Sequence, residues 1–101
     1  MAQTVTYEII KSFANDIKNK IPSSKVYLFG SYAKGKAKKD SDIDIAVFSD
    51  YFEGMEKTDA DVILYKIAEK YDADIQPIAF TFSDMETDFV KEEILKYGRL
   101  I

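Results

Sequence analysis

The sequence FGSYAKGKAKKDSDIDIAVF, residues 29–48, decides the fold of this chain. It opens on a glycine and a hydroxyl, Gly30 and Ser31, at the point where a short β-prone run ends. A lysine-rich loop follows, and the segment then alternates acidic and apolar residues before it becomes wholly apolar. This order predicts a strand, a glycine turn, a loop and a second strand over 42–48.

Asp42 and Asp44 are the chemically informative residues of the second predicted strand. Side chains two residues apart on a strand point to the same face, so the two carboxylates project together while the isoleucines beside them face the core. Two adjacent carboxylates repel each other, and a bound cation relieves that repulsion. Oxygen ligands suit Mg²⁺, and Mg²⁺ held by carboxylates is typical of phosphate chemistry.

Helices and strands on either side of this stretch complete an α/β pattern. Apolar residues at three- and four-residue steps predict helices, and β-prone runs predict strands. The further predicted elements are a helix over 4–20, a strand over 25–29, a helix over 59–71, a strand over 74–82 and a helix from Ser83 onward. The expected fold is a small mixed β-sheet with helices packed mainly on one face and the acids at one open edge.

Local signals refine the predicted elements. Pro77 cannot donate a ladder hydrogen bond, so the third strand is expected at an edge or a bulge of the sheet. Thr58 is predicted to cap the second helix, and Ser83 and Glu86 have the spacing of a capping box for the last one. Gly98 is predicted to end that last helix.

The composition limits what the chain can be. Its 101 residues are enough for one small domain, predicted to span 1–101. No apolar run approaches the roughly 20 residues of a membrane span, and the first residues lack the pattern of a signal peptide. With no cysteine, these features favour a cytoplasmic protein. The net charge of -4 argues against a nucleic-acid partner, because sequence-independent binders are usually basic.

The absence of two residue types excludes several classes of enzyme. The chain has no histidine and no cysteine. Serine–histidine triads, thiol nucleophiles and most zinc sites are therefore ruled out. Any catalysis must use carboxylates, lysines, hydroxyls and a metal ion.

Gly30-Ser31, ten residues, and then Asp42-x-Asp44 resembles the signature of minimal nucleotidyltransferase domains, within the DNA polymerase beta-like nucleotidyltransferase superfamily. The flanking residues 29–37 and 41–45 are similar to that family, as is the order of elements over the whole chain. Stand-alone domains of this size resemble the antitoxins that are encoded beside HEPN-domain toxins.

The resemblance implies a third acid at the start of a later strand, and Asp74 matches that position. The catalytic residues would be Asp42, Asp44 and Asp74, which would hold two Mg²⁺ ions, with Asp74 also helping to deprotonate the acceptor hydroxyl. Asp72 is the alternative third acid, because it lies two residues earlier and has the same parity. Asp74 is preferred because Ile75 follows it, where the strand is expected to begin.

Gly30, Ser31 and Lys34 are the predicted nucleotide-binding residues. A glycine lets the backbone approach a phosphate closely, and the Ser31 hydroxyl adds a donor to the β- or γ-phosphate. Lys34 stands where relatives often have arginine, so it would supply positive charge without a bidentate guanidinium. The remaining loop lysines are interpreted first as a solvated loop, and they are Lys36, Lys38 and Lys39.

The function that the resemblance implies is Mg²⁺-dependent transfer of AMP from ATP to a protein hydroxyl, a tyrosine of a HEPN-family toxin, by an antitoxin. Two alternatives stay open. One is a non-catalytic antitoxin that blocks its partner by binding, and the other is a small-molecule nucleotidyltransferase of the aminoglycoside-modifying type. The nucleotide, the acceptor and the oligomeric state stay open, including a homo-oligomer through a strand edge near Pro77.

A P-loop is the competing interpretation of the glycine turn. Gly30 to Ala37 nearly matches Gly-x-x-x-x-Gly-Lys-[Ser/Thr], but Ala37 lacks the hydroxyl that a P-loop offers to Mg²⁺. The residues that follow predict a turn into a strand, whereas a P-loop precedes a long helix. The sequence therefore favours the nucleotidyltransferase interpretation.

Overall fold

The computed structural model describes residues 2–38 and 40–101, with side chains from residue 6 onward. The helices and strands are α1 Ala2–Lys20, β1 Lys25–Phe29, β2 Ile43–Phe48, α2 Lys57–Ala68, β3 Ile75–Phe80 and β4 Arg99–Leu100. Two 3₁₀ turns, Asp50–Phe52 and Phe82–Glu86, and a π-helix, Val90–Leu95, complete the chain. Among the described helices, none combines the length and apolar character needed to cross a membrane.

The four strands form one mixed sheet in the order β3-β2-β1-β4. β1 runs antiparallel to both β2 and β4, and β2 runs parallel to β3. A parallel pair needs a crossover connection, and α2 supplies it. The α/β fold with a small mixed sheet, which the sequence predicted, is confirmed.

The two α-helices cover one face of the sheet and bury the main core. Ile10, Phe13 and Ile17 of α1 lie at most 2% exposed in this cluster, packed with apolar residues of all three long strands. Each such side chain contributes roughly 1.5–3 kcal/mol of hydrophobic stabilisation. On the opposite face, Phe48 of β2 packs in a smaller cluster with Val90 of the C-terminal segment. The helices thus lie mainly on one face, as predicted, and the C-terminal segment covers part of the other.

Several predicted helix ends were wrong. α2 begins at Lys57 after Glu56, so Thr58 is not its cap. The capping box expected at Ser83 and Glu86 is also wrong. Because β3 ends at Phe80, the next turn begins earlier, and the Asp84 carboxylate accepts a hydrogen bond from the Thr81 N–H at 2.9 Å.

The C-terminal segment departs most from the sequence prediction. It is a π-helix, in which the Lys96 N–H donates to the Lys91 carbonyl at 3.2 Å. Gly98 ends it as predicted, since its N–H donates to the Ile94 carbonyl at 2.7 Å. A Cβ at Gly98 would overlap that same carbonyl oxygen. The chain then forms β4, a two-residue strand that the sequence did not predict.

Pro77 lies on β3, which is an edge strand, and this confirms the prediction made from the proline. Two residues along, the outward Ala79 N–H donates to the Asp61 carboxylate at 2.9 Å. The Lys57 ammonium donates to the Ala79 carbonyl at 2.5 Å. These side chains occupy the backbone groups that an added strand would need, so the edge near Pro77 is poorly suited to pair with a second copy.

Asp16 of α1 ties the main helix to the turn after α2. Its carboxylate lies 2.6 Å from the Lys70 ammonium and accepts a hydrogen bond from the Tyr71 hydroxyl. The hydrogen bonds from Lys70 and then Tyr71 lower the pKa of Asp16. Burial, followed by the hydrogen bond to Asp16, raises the pKa of Tyr71 to about 12.

Tyr71→Phe tests this contact. Because the folded pKa of Tyr71 exceeds its ordinary 10.0, the phenol contributes stability that is fully present below pH 10 and is lost as the pH rises towards 12. We expect the variant to lose about 1 kcal/mol of unfolding free energy at pH 7, the worth of one hydrogen bond. Between pH 7 and pH 11 we expect the variant to lose less unfolding free energy than the wild type loses, measured by urea unfolding.

Tyr51→Phe is the matched control, because Tyr51 is exposed and its hydroxyl donates to nothing among the described residues. It should unfold like the wild type at both pH values. An equal high-pH loss in wild type and Tyr71→Phe would show that another group titrates.

Candidate functional site

Gly30 begins a tight turn directly after β1. Its φ is +74°, in the left-handed region that favours glycine. The Lys34 N–H donates to the Gly30 carbonyl at 3.1 Å, and the Lys36 N–H donates to the Ser31 carbonyl at 2.9 Å. In the described part of the chain, the backbone N–H groups of residues 31–33 have no acceptor. Consecutive free N–H groups of this kind are able to bind an anion.

The backbone of this turn is pressed against the Asp44 side chain. Phe29, the residue before Gly30, pairs with Asp44 in the antiparallel β1–β2 register. A Cβ at Gly30 would overlap an Asp44 carboxylate oxygen and would lie 3.1 Å from the carboxyl carbon. Only a glycine therefore lets the backbone of this turn and the Asp44 carboxylate approach so closely.

Asp44 is the second residue of β2, and Asp42 directly precedes that strand, which begins at Ile43 and not at the predicted residue 42. The shared face of the two carboxylates stays a prediction. Asp42 is exposed and Asp44 is half-buried. Burial raises the pKa of Asp44, and the negative charge of Asp42 raises it further. Such an effect is expected of two carboxylates that lie two residues apart. Their paired negative oxygens fit a hard divalent cation, which would neutralise the repulsion between them.

Asp74 lies beside this pair in the backbone. Its carbonyl accepts a hydrogen bond from the Ile43 N–H at 2.8 Å. The parallel register pairs Ile43 with Ile75, so one residue earlier it sets Asp74 next to Asp42. Asp72 lies in the turn after α2, outside this pairing. The backbone therefore favours Asp74 over Asp72 as the acid that could join the pair.

The orientation of the third acid stays a prediction. In residues 2–38 and 40–101, no three acidic side chains form a group that could hold a metal ion. Asp42 and Asp44 supply two carboxylates, and the exposed Asp74 side chain would complete the site by turning towards them.

Lys34 lies towards the C-terminal helix. Its ammonium is 3.3 Å from the Glu93 carboxylate and 5.0 Å from the centre of the Tyr97 ring. The phosphate contact predicted for Lys34 would have to compete with these two partners, and it stays a prediction. Of the other loop lysines, Lys39 lies outside the described residues.

The structure does not support a P-loop. After Gly35 the chain passes through a loop into β2, whereas a P-loop leads into a long helix. Ser41 has a structural role before the acids, because its hydroxyl accepts a hydrogen bond from the Lys38 N–H at 2.7 Å.

Gln76 is a residue of the site that the sequence analysis missed. It pairs with Asp44 in the β2–β3 register, so its side chain shares the face of Asp44. Its side-chain oxygen accepts a hydrogen bond from the Tyr65 hydroxyl at 2.6 Å. The available signal was its position two residues after Asp74, which gives it the same parity on the strand.

Known proteins that resemble this chain are nucleotidyltransferases by name. The family model described as "Nucleotidyltransferase domain" matches residues 10–101. A protein of Methanocaldococcus jannaschii, named "Putative protein adenylyltransferase MJ0141", is 35% identical over 94 residues. The match covers 90% of this chain and 93% of that protein.

Solved structures share the fold. A "putative nucleotidyltransferase" from Sulfolobus solfataricus superposes with a TM-score of 0.71 at 20% identity, covering 92% of this chain and 76% of that one. A toxin–antitoxin structure with AMP-PNP gives a TM-score of 0.62 at 26% identity, covering 92% and 69%. A mutant of the toxin–antitoxin MntA-HpeT gives 0.62 at 25% identity, covering 94% and 70%.

Proposed function

Because the chain belongs to the nucleotidyltransferase domain family, we propose that it is a Mg²⁺-dependent enzyme that transfers AMP from ATP to a hydroxyl group of another protein. The observation that carries this proposal is the contact between the Gly30 turn and Asp44, beside Asp42. It brings backbone N–H groups that are able to bind a phosphate next to carboxylates that are able to bind a divalent cation. The name of the Methanocaldococcus jannaschii relative and the AMP-PNP in a structural neighbour support the choice of reaction.

In the proposed reaction, the acceptor hydroxyl oxygen attacks the α-phosphorus of ATP and forms a new P–O bond. The bond from that phosphorus to the bridging oxygen breaks, and pyrophosphate leaves with the electron pair. Asp74 accepts the hydroxyl proton. Mg²⁺ held by Asp42 and Asp44 would neutralise the charge that develops on the phosphate oxygens. The Ser31 hydroxyl and the free N–H groups of the turn bind the outgoing phosphates.

The acceptor that we propose is a tyrosine of a HEPN-family toxin, which the chain would inactivate as an antitoxin. The two toxin–antitoxin neighbours support a toxin partner. The exposure of Asp42 and Asp74 also supports a protein acceptor, because an open site suits a substrate that brings its own surface. A small molecule of the aminoglycoside type would need more enclosing surface than these residues provide.

Labelling tests the proposal directly. The purified protein is incubated with ATP labelled at the α-phosphate, Mg²⁺ and a folded HEPN-domain toxin. We expect label on the toxin only with Mg²⁺, at a tyrosine located by mass spectrometry, with loss of toxin activity. A folded toxin that gains no label would refute the transfer. An Asp44→Asn protein that still neutralises the toxin would favour inhibition by binding alone.

Asp74→Asn and Asp72→Asn form a matched pair that assigns the third acid. We expect Asp74→Asn to lower kcat by about 10²–10⁴-fold, the usual worth of a positioned general base. Asp72→Asn should stay within about twofold of the wild type, because Asp72 lies outside the β2–β3 pairing. Steady-state AMP transfer measures both, and the reverse result would make Asp72 the third acid.

A further inference from the structure

A groove beside β3 is not used by the nucleotide or the metal ions in the proposed reaction. Its volume is about 250 Å³, and it lies between the end of α2 and the start of β3. The polar residues that line it are Tyr65, Glu69, Tyr71, Asp74 and Gln76. Asp74 thus borders both the groove and the acids.

The strand order sets the groove and the glycine turn on opposite sides of the acids. Gly30 follows β1, Asp44 is on β2, and Gln76 is on β3, which flanks β2 on its other side. Gln76 is the register partner of Asp44. Adjacent strands are about 4.8 Å apart, so Gln76 lies one strand spacing from Asp44, away from the turn.

This arrangement decides from which side the acceptor arrives. In phosphoryl transfer the attacking and leaving oxygens lie roughly in line through the phosphorus. The proposed function sets the leaving pyrophosphate at the Gly30 turn. The attacking hydroxyl must then approach from the side of β3, where Gln76 and the groove lie.

Gln76 has the chemistry to hold an approaching polypeptide. The Tyr65 hydroxyl donates to its side-chain oxygen at 2.6 Å, which fixes the carboxamide plane. Within the described residues its amide nitrogen donates to no acceptor, so two N–H donors are available. An amide binds a peptide carbonyl or a hydroxyl oxygen without adding charge beside the acids.

We propose that Gln76, oriented by Tyr65, is a positioning residue that binds the acceptor polypeptide on the β3 side of the acids, with the acceptor segment seated in the adjacent groove. The inference rests on the proposed function and adds the acceptor site to it. Charge selects this occupant over the nucleotide. The described residues lining the groove include the carboxylates Glu69 and Asp74 and no lysine or arginine, which disfavours a triphosphate.

Three variants test the inference by steady-state AMP transfer to a HEPN-domain toxin. Gln76→Met keeps nearly the same volume and removes the donors without adding a charge beside the acids, and we expect the KM for the toxin to rise about tenfold, the worth of about one hydrogen bond. Tyr65→Phe should raise it about threefold, because the amide loses its orientation. Tyr51→Phe is the control on a distant exposed tyrosine and should match the wild type. The KM for ATP should not change in any of them.

Two results would overturn the inference. A raised KM for ATP with an unchanged KM for the toxin would put Gln76 at the nucleotide, and unchanged values for both would leave it without a role. If the wild type transfers no AMP to the toxin, the proposed function fails instead. Calorimetric binding then still tests Gln76: the Asp44→Asn protein should bind the toxin about tenfold more tightly than the same protein carrying Gln76→Met, and equal affinities would refute the acceptor site.

Discussion

Asp44→Asn should lower AMP transfer by about a thousandfold or more and, in the absence of Mg²⁺, make the protein more stable. The activity falls because the acid pair loses one of the two charged groups that would hold Mg²⁺. A metal ion supplies several kcal/mol of transition-state stabilisation, and each 1.36 kcal/mol changes the rate tenfold. Stability rises because the variant removes a half-buried charge that lies beside Asp42. A functional carboxylate in this position destabilises the free protein.

Thermal melting with and without Mg²⁺ separates these two effects. Mg²⁺ should raise the melting temperature of the wild type and have little effect on Asp44→Asn, since only the wild type keeps both carboxylates. Asp88→Asn removes an exposed acid with no described partner and should behave like the wild type in both assays. A destabilised, metal-responsive Asp44→Asn protein would contradict our view of the acid pair.

Gly30→Ala should strongly reduce both AMP transfer and stability. Two costs combine at this residue. The left-handed φ of +74° costs a non-glycine residue about 1–2 kcal/mol. The added Cβ would also overlap the Asp44 carboxylate, so either the turn or the acid must move. We expect activity to fall at least a hundredfold, because a displacement of about 1 Å at a reacting centre costs that much.

Gly35→Ala provides a matched control in the same turn. Gly35 has nearly the same φ, +71°, and a Cβ there would meet nothing within 4 Å. Gly35→Ala should therefore lose stability from backbone strain alone, Gly30→Ala should lose more because of the added overlap with Asp44, both measured by urea unfolding, and only Gly30→Ala should lose activity. An equal loss of activity in the two variants would show that strain in the turn, and not the contact with Asp44, is responsible.

The parts of the fold that the sequence predicted are those that depend on local patterns. β1 has the predicted ends, because a β-prone run stops at a glycine. The burial of Ile43 and Ile45 on the face opposite to Asp44 follows from strand alternation alone. Pro77 identified an edge because it lacks an N–H, which is a property of one residue.

The parts that were missed depend on contacts between distant residues. β4 has two residues, too few for any alternation, and it exists because it pairs with β1. The contact of Lys34 with Glu93 joins residues 59 positions apart. Gln76 entered the site through its register with Asp44, which only the paired strands reveal. Sequence spacing could suggest Asp74, but it could not give the direction of its side chain.

The protected outer edge of β3 affects the tendency of the protein to aggregate. Unpaired strand edges are where folded chains begin to pair with one another and aggregate into cross-β fibres. Here Pro77, Asp61 and Lys57 block one edge, and the other is only two residues long. Within the described residues, the domain therefore offers no long strand edge as a template for self-propagating assembly.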